Sequence, residues 1–260
     1  MPIRPRRTAL RRVAPVRPML EVDFHTHTSF SRCGIHSVIE MLVRAKSLGM
    51  KGIAITDHGP ELKSHVNSTF YERLIDPVPG IRLLKGMECN LIGDTPRIDL
   101  PLSWARFMDL VLVGIHFPTP RGLGRDTYTG LMIEMLQSSP WVDIITHPDD
   151  TAYPLDFARL AEAAAERGVA LELNNSKTAL RRTEPAVTRD MLRACVAARC
   201  PVAVSSDAHA LNEVGADDAV AGFLGEEHVP EELVVNRDGP AAFAFVERRR
   251  AAKLSAEAEE

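Results

Sequence analysis

At 260 residues, with 45% hydrophobic and 25% charged side chains, the chain has an ordinary globular composition and can form one large α/β domain or two small ones around a sizeable core. A formal net charge of −4 gives no electrostatic reason to expect a nucleic-acid partner, and no apolar run approaches the roughly 18 residues of a membrane span. The four cysteines, Cys33, Cys89, Cys195 and Cys200, include no CxxC pair, which argues against a disulfide framework and for a reducing, cytoplasmic setting.

Residues 1–20 carry six arginines and no acid, which leaves 25 basic against 35 acidic residues for the remainder. This start lacks the apolar centre of a secretory signal and reads as a solvated, disordered extension. A transit peptide shares its Arg-rich, acid-poor character. Met19, directly ahead of the first strand-like run, is a candidate natural start. An intact Met1 or Pro2 terminus on protein made from the native gene would exclude it. A single domain is expected over residues 21–250, followed by a charged tail over 251–260.

From residue 21 onward, strand-like and helix-like segments alternate. EVDFHTH (21–27) comes first, then SVIEMLVRAKSL (37–48), whose apolar residues have helical spacing and which Gly49 stops. GIAITDH (52–58), RLLKGME (82–88) and LVLVGIH (110–116) read as strands, as do VDIITH (142–147), VALELNN (169–175) and VAVSSDAH (202–209). Helices are expected near 127–137, 157–167, 185–198 and 240–253. Such alternation predicts a parallel sheet with right-handed crossovers. Runs such as VLVGI fit strands buried on both faces. An open dinucleotide-binding sheet would need a glycine-rich turn after its first strand; this chain has HTHTSFS there. A closed seven-stranded β/α barrel of the TIM-like kind fits better, because the C-terminal ends of its strands surround one site.

Six of the seven strand-like runs end in metal-type ligands: His25 and His27, His58, Glu88, His116, His147, and Asp207 with His209. Strand side chains alternate faces, so His25 and His27 point the same way. Six imidazoles and two carboxylates exceed the needs of one tetrahedral ion. Two to three divalent ions are therefore expected, with Glu88 as a bridging candidate. The mixed set suits zinc, manganese or iron better than magnesium or calcium. Asp57 and Asp23 read as carboxylates that orient an imidazole by accepting its other N–H; for Asp23, capping of the strand start is the alternative. Cys89 is expected in the core, and nothing marks Cys195 or Cys200 as ligands.

The segments DFHTH, ITDHGP, LKGMECN, VGIHFP, IITHP, LELNNS and SSDAH, spread over residues 21–215, resemble the PHP (polymerase and histidinol phosphatase) superfamily, most closely its YcdX-type trinuclear-zinc phosphatases. The resemblance implies a distorted seven-stranded barrel with three metals at its C-terminal rim. It implies that His25, His27, Glu88 and Asp207 hold the first metal. Glu88 bridges to a second held by His116 and His147, and His58 and His209 hold the third. The family usually has one more histidine for the third metal, at the position of Cys33. Three readings stay open there: a Cys33 thiolate replaces the imidazole, His36 swings in, or the third site is weak or empty.

Such a centre predicts a phosphatase acting on a small phosphorylated metabolite. Divalent ions lower the pKa of bound water to about 7 and so provide a metal-bound hydroxide for the attack, and they stabilise charge on the phosphoryl group. Glu88, Asp207 and His209 are the expected catalytic set. Candidate substrate contacts are Arg121 and Arg125 in the glycine-rich loop after His116, Asn175 and Lys177 with Asn174 after the sixth strand, and His65 as a leaving-group acid. His228 reads as structural or exposed. A homo-oligomer is compatible with the sequence, and no membrane partner is expected. The competing readings are a PHP-type nuclease, an amidohydrolase barrel, which would need a strand-end lysine at mid-chain, and a metal-binding regulator without catalysis.

Overall fold

A computed structural model describes residues 20–257; the arginine-rich start and the question of Met19 lie outside the described residues. Seven parallel strands follow one another in chain order: β1 (Val22–Asp23), β2 (Gly52–Ile55), β3 (Arg82–Asn90), β4 (Leu110–Gly114), β5 (Ile144–Ile145), β6 (Ala170–Asn174) and β7 (Val202–Ser205). The described helices are α1 (Val38–Ser47), α2 (Ser68–Arg73), α3 (Leu102–Ala105), α4 (Arg125–Ser138), α5 (Phe157–Glu166), α6 (Asn175–Ala179), α7 (Pro185–Ala198), α8 (Ala221–Glu226) and α9 (Gly239–Glu257). The five helices read from the sequence are α1, α4, α5, α7 and α9. Local chemistry sets the limits of α1: Ser37 and Glu40 form a reciprocal capping box at its start, and Gly49 beyond its end takes φ +82°.

The ladders are shorter than the apolar runs because the barrel is distorted. The first half of β3 pairs with β2 and its second half, from Gly86, pairs with β4. A Cβ at Gly86 would lie 2.7 Å from the Leu110 carbonyl oxygen and 2.8 Å from the Thr56 methyl, so the hand-over needs glycine. Past β1 threonine hydroxyls reinforce the backbone bond from the Thr56 amide to the Thr26 carbonyl at 3.0 Å. Thr26 Oγ1 donates to the Ala54 carbonyl at 2.6 Å and Thr56 Oγ1 to the Thr26 carbonyl at 3.2 Å.

Between β1 and β7 the barrel closes through side chains. The backbone contributes a bridge between Thr26 and Ala208. The Asp23 carboxylate accepts from the Ser206 amide and hydroxyl at 3.1 and 2.5 Å, and from the Gly215 amide at 3.2 Å. Asn236 donates to the Val22 and Val204 carbonyls at 3.1 and 2.6 Å and accepts from the Val204 amide. Asp23 therefore joins the two strands rather than orienting an imidazole as the sequence suggested.

Two apolar layers flank the strands. An inner cluster includes Val22, Phe24, Ala54, Leu84, Leu112 and Ile144, and α9 closes it from the N-terminal end with Ala242, Phe245 and Val246. The outer, larger cluster lies between strands and helices and takes up Cys89, Cys195 and Cys200. Helix α9 continues to Glu257 through most of the expected charged tail. Lys253, only 2% exposed, donates to the Asp143 carboxylate at 2.7 Å, and Arg249 does so at 3.0 Å. The segment is helical because these cations have a buried partner.

Candidate metal centre

The six ligand-bearing strand ends converge at the C-terminal rim. Glu88, 1% exposed, is central. Its Oε2 lies 2.8 Å from His58 Nδ1 and 3.4 Å from the Nε2 atoms of both His25 and His27. Its Oε1 lies 3.0 Å from His147 Nε2 and 3.3 Å from His116 Nε2. Asp207 Oδ1 is 3.2 Å from His27 Nε2 and 3.5 Å from His25 Nε2. The facing Nε2 atoms are 3.0 Å apart in both the His25–His27 and the His116–His147 pair.

These spacings are close to those of ligands around a shared cation. Nitrogens at 2.0–2.1 Å from a tetrahedral zinc would stand roughly 3.3–3.4 Å apart. His58 Nδ1 and Glu88 Oε2, despite their 2.8 Å separation, lack hydrogen-bond geometry, and both are buried without a hydrogen-bond partner. Buried polar atoms are rarely left so, and here they point into one space. The donor set, imidazole nitrogen and carboxylate oxygen, fits a divalent ion of the zinc class.

The electrostatics agree. Burial opposes ionisation of Glu88, yet the imidazoles of His25, His116 and His58 hold its carboxyl well below the usual range. Asp207 is likewise held low: burial acts against its charge, and His25 and His27 outweigh it. Burial, followed by the neighbouring His58, pushes His27 down to about 3, and burial takes His116 to about 4. Both are neutral acceptors at physiological pH, the form a metal needs. Burial also opposes protonation of His25 and His58, but Glu172 and Glu88 raise the first well above its ordinary value, and Glu88 raises the second to about 10.

Two of the rim residues carry backbone strain. His147 has φ +32° and Asp207 φ +53°, a region that costs a non-glycine residue about 1–3 kcal/mol. The chain accepts this where it turns from strand to rim. Gly114 makes room for the same turn. A Cβ there would lie 2.5 Å from Thr146 Oγ1, 2.6 Å from His116 Cε1 and 2.9 Å from His147 Cε1.

A supporting layer fixes the imidazoles, and the sequence had revealed little of it. Glu172 accepts from His25 Nδ1 at 2.8 Å and from the His147 amide at 2.8 Å. That bond fixes the His25 ring with Nε2 facing Glu88 and Asp207. Asn174 donates to Glu172 and Asp207 at 2.9 and 3.2 Å. Asp57 does not orient His58: its carboxylate accepts from Thr28 and, at 2.5 Å, from Ser31 Oγ. Ser31 Oγ in turn lies 2.9 Å from His27 Nδ1, so Asp57 acts on His27 through a serine. Glu172 was hidden as one acid inside an apolar run; its position two residues before Asn174, on the same strand face, was the available signal.

Cys33 lies with His209 and His58 on one wall. Its Sγ and one nitrogen each of His27 and His209 all fall within 4.8 Å of one another. Burial would raise the thiol, but hydrogen bonds to His209 and His58 bring it down to about 6. His209 Nδ1 bonds the Asp207 carbonyl at 2.9 Å.

The rim surrounds a cavity of about 320 Å³, lined by most of these groups and by Ser176, Lys177, Leu180, Arg182 and Glu213. Lys177, expected here, is present, with its Nζ 3.1 Å from Asp150. The other expected substrate contacts do not line it. Arg121 and His65, in loops, and Arg125, at the start of α4, are exposed elsewhere. Asn175 is turned away to accept from the Ala219 amide at 2.9 Å. His36 is also absent from the wall. Arg182, missed in the sequence, comes in because its amide bonds the Lys177 carbonyl at 2.8 Å and folds the loop back.

Comparison with known proteins accords with this geometry. The model of the PHP domain matches residues 23–176. A probable phosphatase of Shewanella sediminis is 33% identical over 235 residues, covering 88% of this chain and 94% of that one. A probable phosphatase of Acetivibrio thermocellus is 32% identical over 232 residues, covering 88% and 96%. Among solved structures, histidinol phosphate phosphatase from Lactococcus lactis, complexed with zinc, L-histidinol and phosphate, superposes with a TM-score of 0.56 at 17% identity over 88% of this chain and 93% of that one. A chain of the archaeal ribonuclease P structure with mature tRNA gives 0.56 at 18% identity, over 88% and 90%; at these identities the likeness is one of fold. Among the described residues no helix is long and apolar enough to cross a membrane. The chain belongs to the PHP domain family.

Proposed function

We propose that this protein is a metal-dependent phosphatase hydrolysing a small phosphorylated metabolite, with two to three divalent ions, zinc first among the candidates. The observation that carries this reading is Glu88, which turns each of its two oxygens to a different group of imidazoles. In this reading His25, His27, Glu88 and Asp207 would hold one ion, His116 and His147 with Glu88 a second, and His58, Cys33 and His209 a third. The working unit is the barrel of residues 21–250, with α9 as its base.

Bound divalent ions supply Lewis acidity toward the phosphoryl oxygens and lower the pKa of water to about 7. The chain's own residues supply placement. Glu172 and Asn174 hold His25 and Asp207 in position. Lys177, paired with Asp150, and Arg182 add positive charge on the open side of the cavity, where a dianionic ester would enter. Arg182 has no acidic partner among the described residues, so its guanidinium is free to grip phosphate in a forked contact. Leu180, 60% exposed on the cavity wall, offers an apolar surface to the leaving group.

The test combines metal counting by mass spectrometry with a phosphate-release panel on chelator-treated protein. Two or three ions per chain, and activity restored by zinc, manganese or iron, are the expected results. Fewer than two ions, with no phosphate released after metal is added back, would overturn the proposal. Hydrolysis of nucleic acid in place of small esters would move the chain to the nuclease reading.

A further inference from the structure

Three of the four cysteines, Cys89, Cys195 and Cys200, are completely buried, and Cys33 alone is exposed. The loop that carries Cys33 is fixed on both sides. The Ser29 amide bonds the His36 carbonyl at 2.8 Å, and the Ile35 amide bonds the His209 carbonyl at 3.0 Å. The second bond ties the loop to the strand end that carries His209. Cys33, unlike His36, faces the cavity. Its sulfur and one nitrogen each of His27 and His209 lie within 4.8 Å of one another, and His58 lines the same cavity. His58, on the same cavity, has its Nδ1 buried without a hydrogen-bond partner, 2.8 Å from the equally unpartnered Glu88 Oε2, so the rim at His58 is one that takes a cation.

We infer that Cys33, His58 and His209 form a thiolate–imidazole site that selects zinc-class ions over manganese and magnesium, while the remaining ligands hold less selective ions. This inference rests on the phosphatase reading for the presence of metal but goes beyond it in assigning unequal sites. The chemistry is ligand softness. Thiolate favours zinc and its soft neighbours, whereas carboxylate and imidazole also accept manganese and iron. The ligand is the thiolate, so binding competes with protonation of the sulfur. The thiolate also brings a negative charge that a histidine would lack, so the cavity carries one positive charge fewer when full. Because Cys33 is the exposed thiol, its reactivity reports occupancy of that site alone.

Full-length metal-free protein saturated with cobalt(II) should show a thiolate-to-metal charge-transfer band in the near ultraviolet. The band should be absent from Cys33→Ser and Cys33→His. Mass spectrometry should count three ions in the wild type, two in Cys33→Ser and three in Cys33→His. Loss of the thiolate should weaken that ion by more than the roughly 10–100-fold expected for loss of an outer partner. In excess manganese the zinc-loaded wild type should keep one zinc per chain, and Cys33→His should not. Iodoacetamide, which the sulfur attacks with loss of iodide, should modify Cys33 in metal-free protein and spare it in loaded protein. Three bound cobalt ions without the band would overturn the inference, as would three ions in Cys33→Ser or equal alkylation of loaded and metal-free protein. Two ions and a free thiol in the wild type would overturn it and leave the phosphatase reading standing. No bound metal would overturn that reading itself. Should Cys33→Ser fail to fold, Cys33→His and wild-type alkylation decide.

Discussion

The two ends of the barrel each bury a carboxylate among nitrogen atoms, and they do so in opposite ways. At the N-terminal end Asp143 accepts from Arg249 Nε at 3.0 Å, Lys253 Nζ at 2.7 Å and the Val111 amide at 2.8 Å. Each contact is a hydrogen bond from a donor that cannot be anything else. At the C-terminal end Glu88 has five imidazole nitrogens within 3.4 Å, yet its Oε2 accepts no hydrogen bond. The first carboxylate is complete as it stands. The second accepts from Thr146 Oγ1 through its Oε1, but its Oε2 faces imidazole nitrogens with no hydrogen bond and calls for positive charge from outside. A buried acid thus shows its role by whether its neighbours donate hydrogen or lone pairs.

This contrast predicts that changes at the rim remove activity and changes at the base remove stability. The largest effect is expected from Glu88→Gln. It should lower kcat/KM by at least about 10³-fold, the upper range for losing a preorganised electrostatic group, and reduce bound metal, with the thermal transition of metal-free protein nearly unchanged. Asp143→Asn should do the reverse. It leaves Arg249 and Lys253 buried without their anion and should cost about 3–5 kcal/mol in denaturant unfolding, while the folded fraction keeps its metal count. A substantial fall in metal content there, without unfolding, would break the division.

Smaller changes sharpen it. Glu172→Gln should weaken metal binding about 10–100-fold through His25, seen by competition with a chelator. Gly114→Ala, which drives a methyl against His116 and His147, should cost about 1–3 kcal/mol of stability and lower the affinity of the ion proposed between them. Arg182→Ala should raise KM with little change in kcat, the signature of lost uniform binding.

The rim was legible in the sequence because its ligands are local. A strand end followed by histidine can be read from seven residues, and the barrel brings such ends together whatever the details. The base was not legible, since Asp143 meets its cations 106 and 110 residues later. From the sequence alone, Arg249 and Lys253 could be placed only in or near a helix that ran into a charged tail. The loop contacts failed for a related reason. Arg121, Arg125 and His65 follow rim histidines closely, but the path of the chain, which short spacing does not reveal, leaves them off the cavity wall. Lys177 reaches the cavity wall because its amide donates to the Asn174 side chain, which caps α6 at the end of β6.

The clasp between β1 and β7 has a consequence for how the chain is made. Asp23 finds Ser206 across 183 residues, and Val22 finds Asn236 across 214. During synthesis the N-terminus emerges first, so His25 and His27 wait while nearly the whole protein is translated. Until β7 has emerged, β1 has a partner on one side only, and until residue 236 has emerged the clasp is incomplete; contacts of such separation form slowly. Nascent chains stalled before Asn236 should therefore remain more sensitive to protease at β1 than chains released whole.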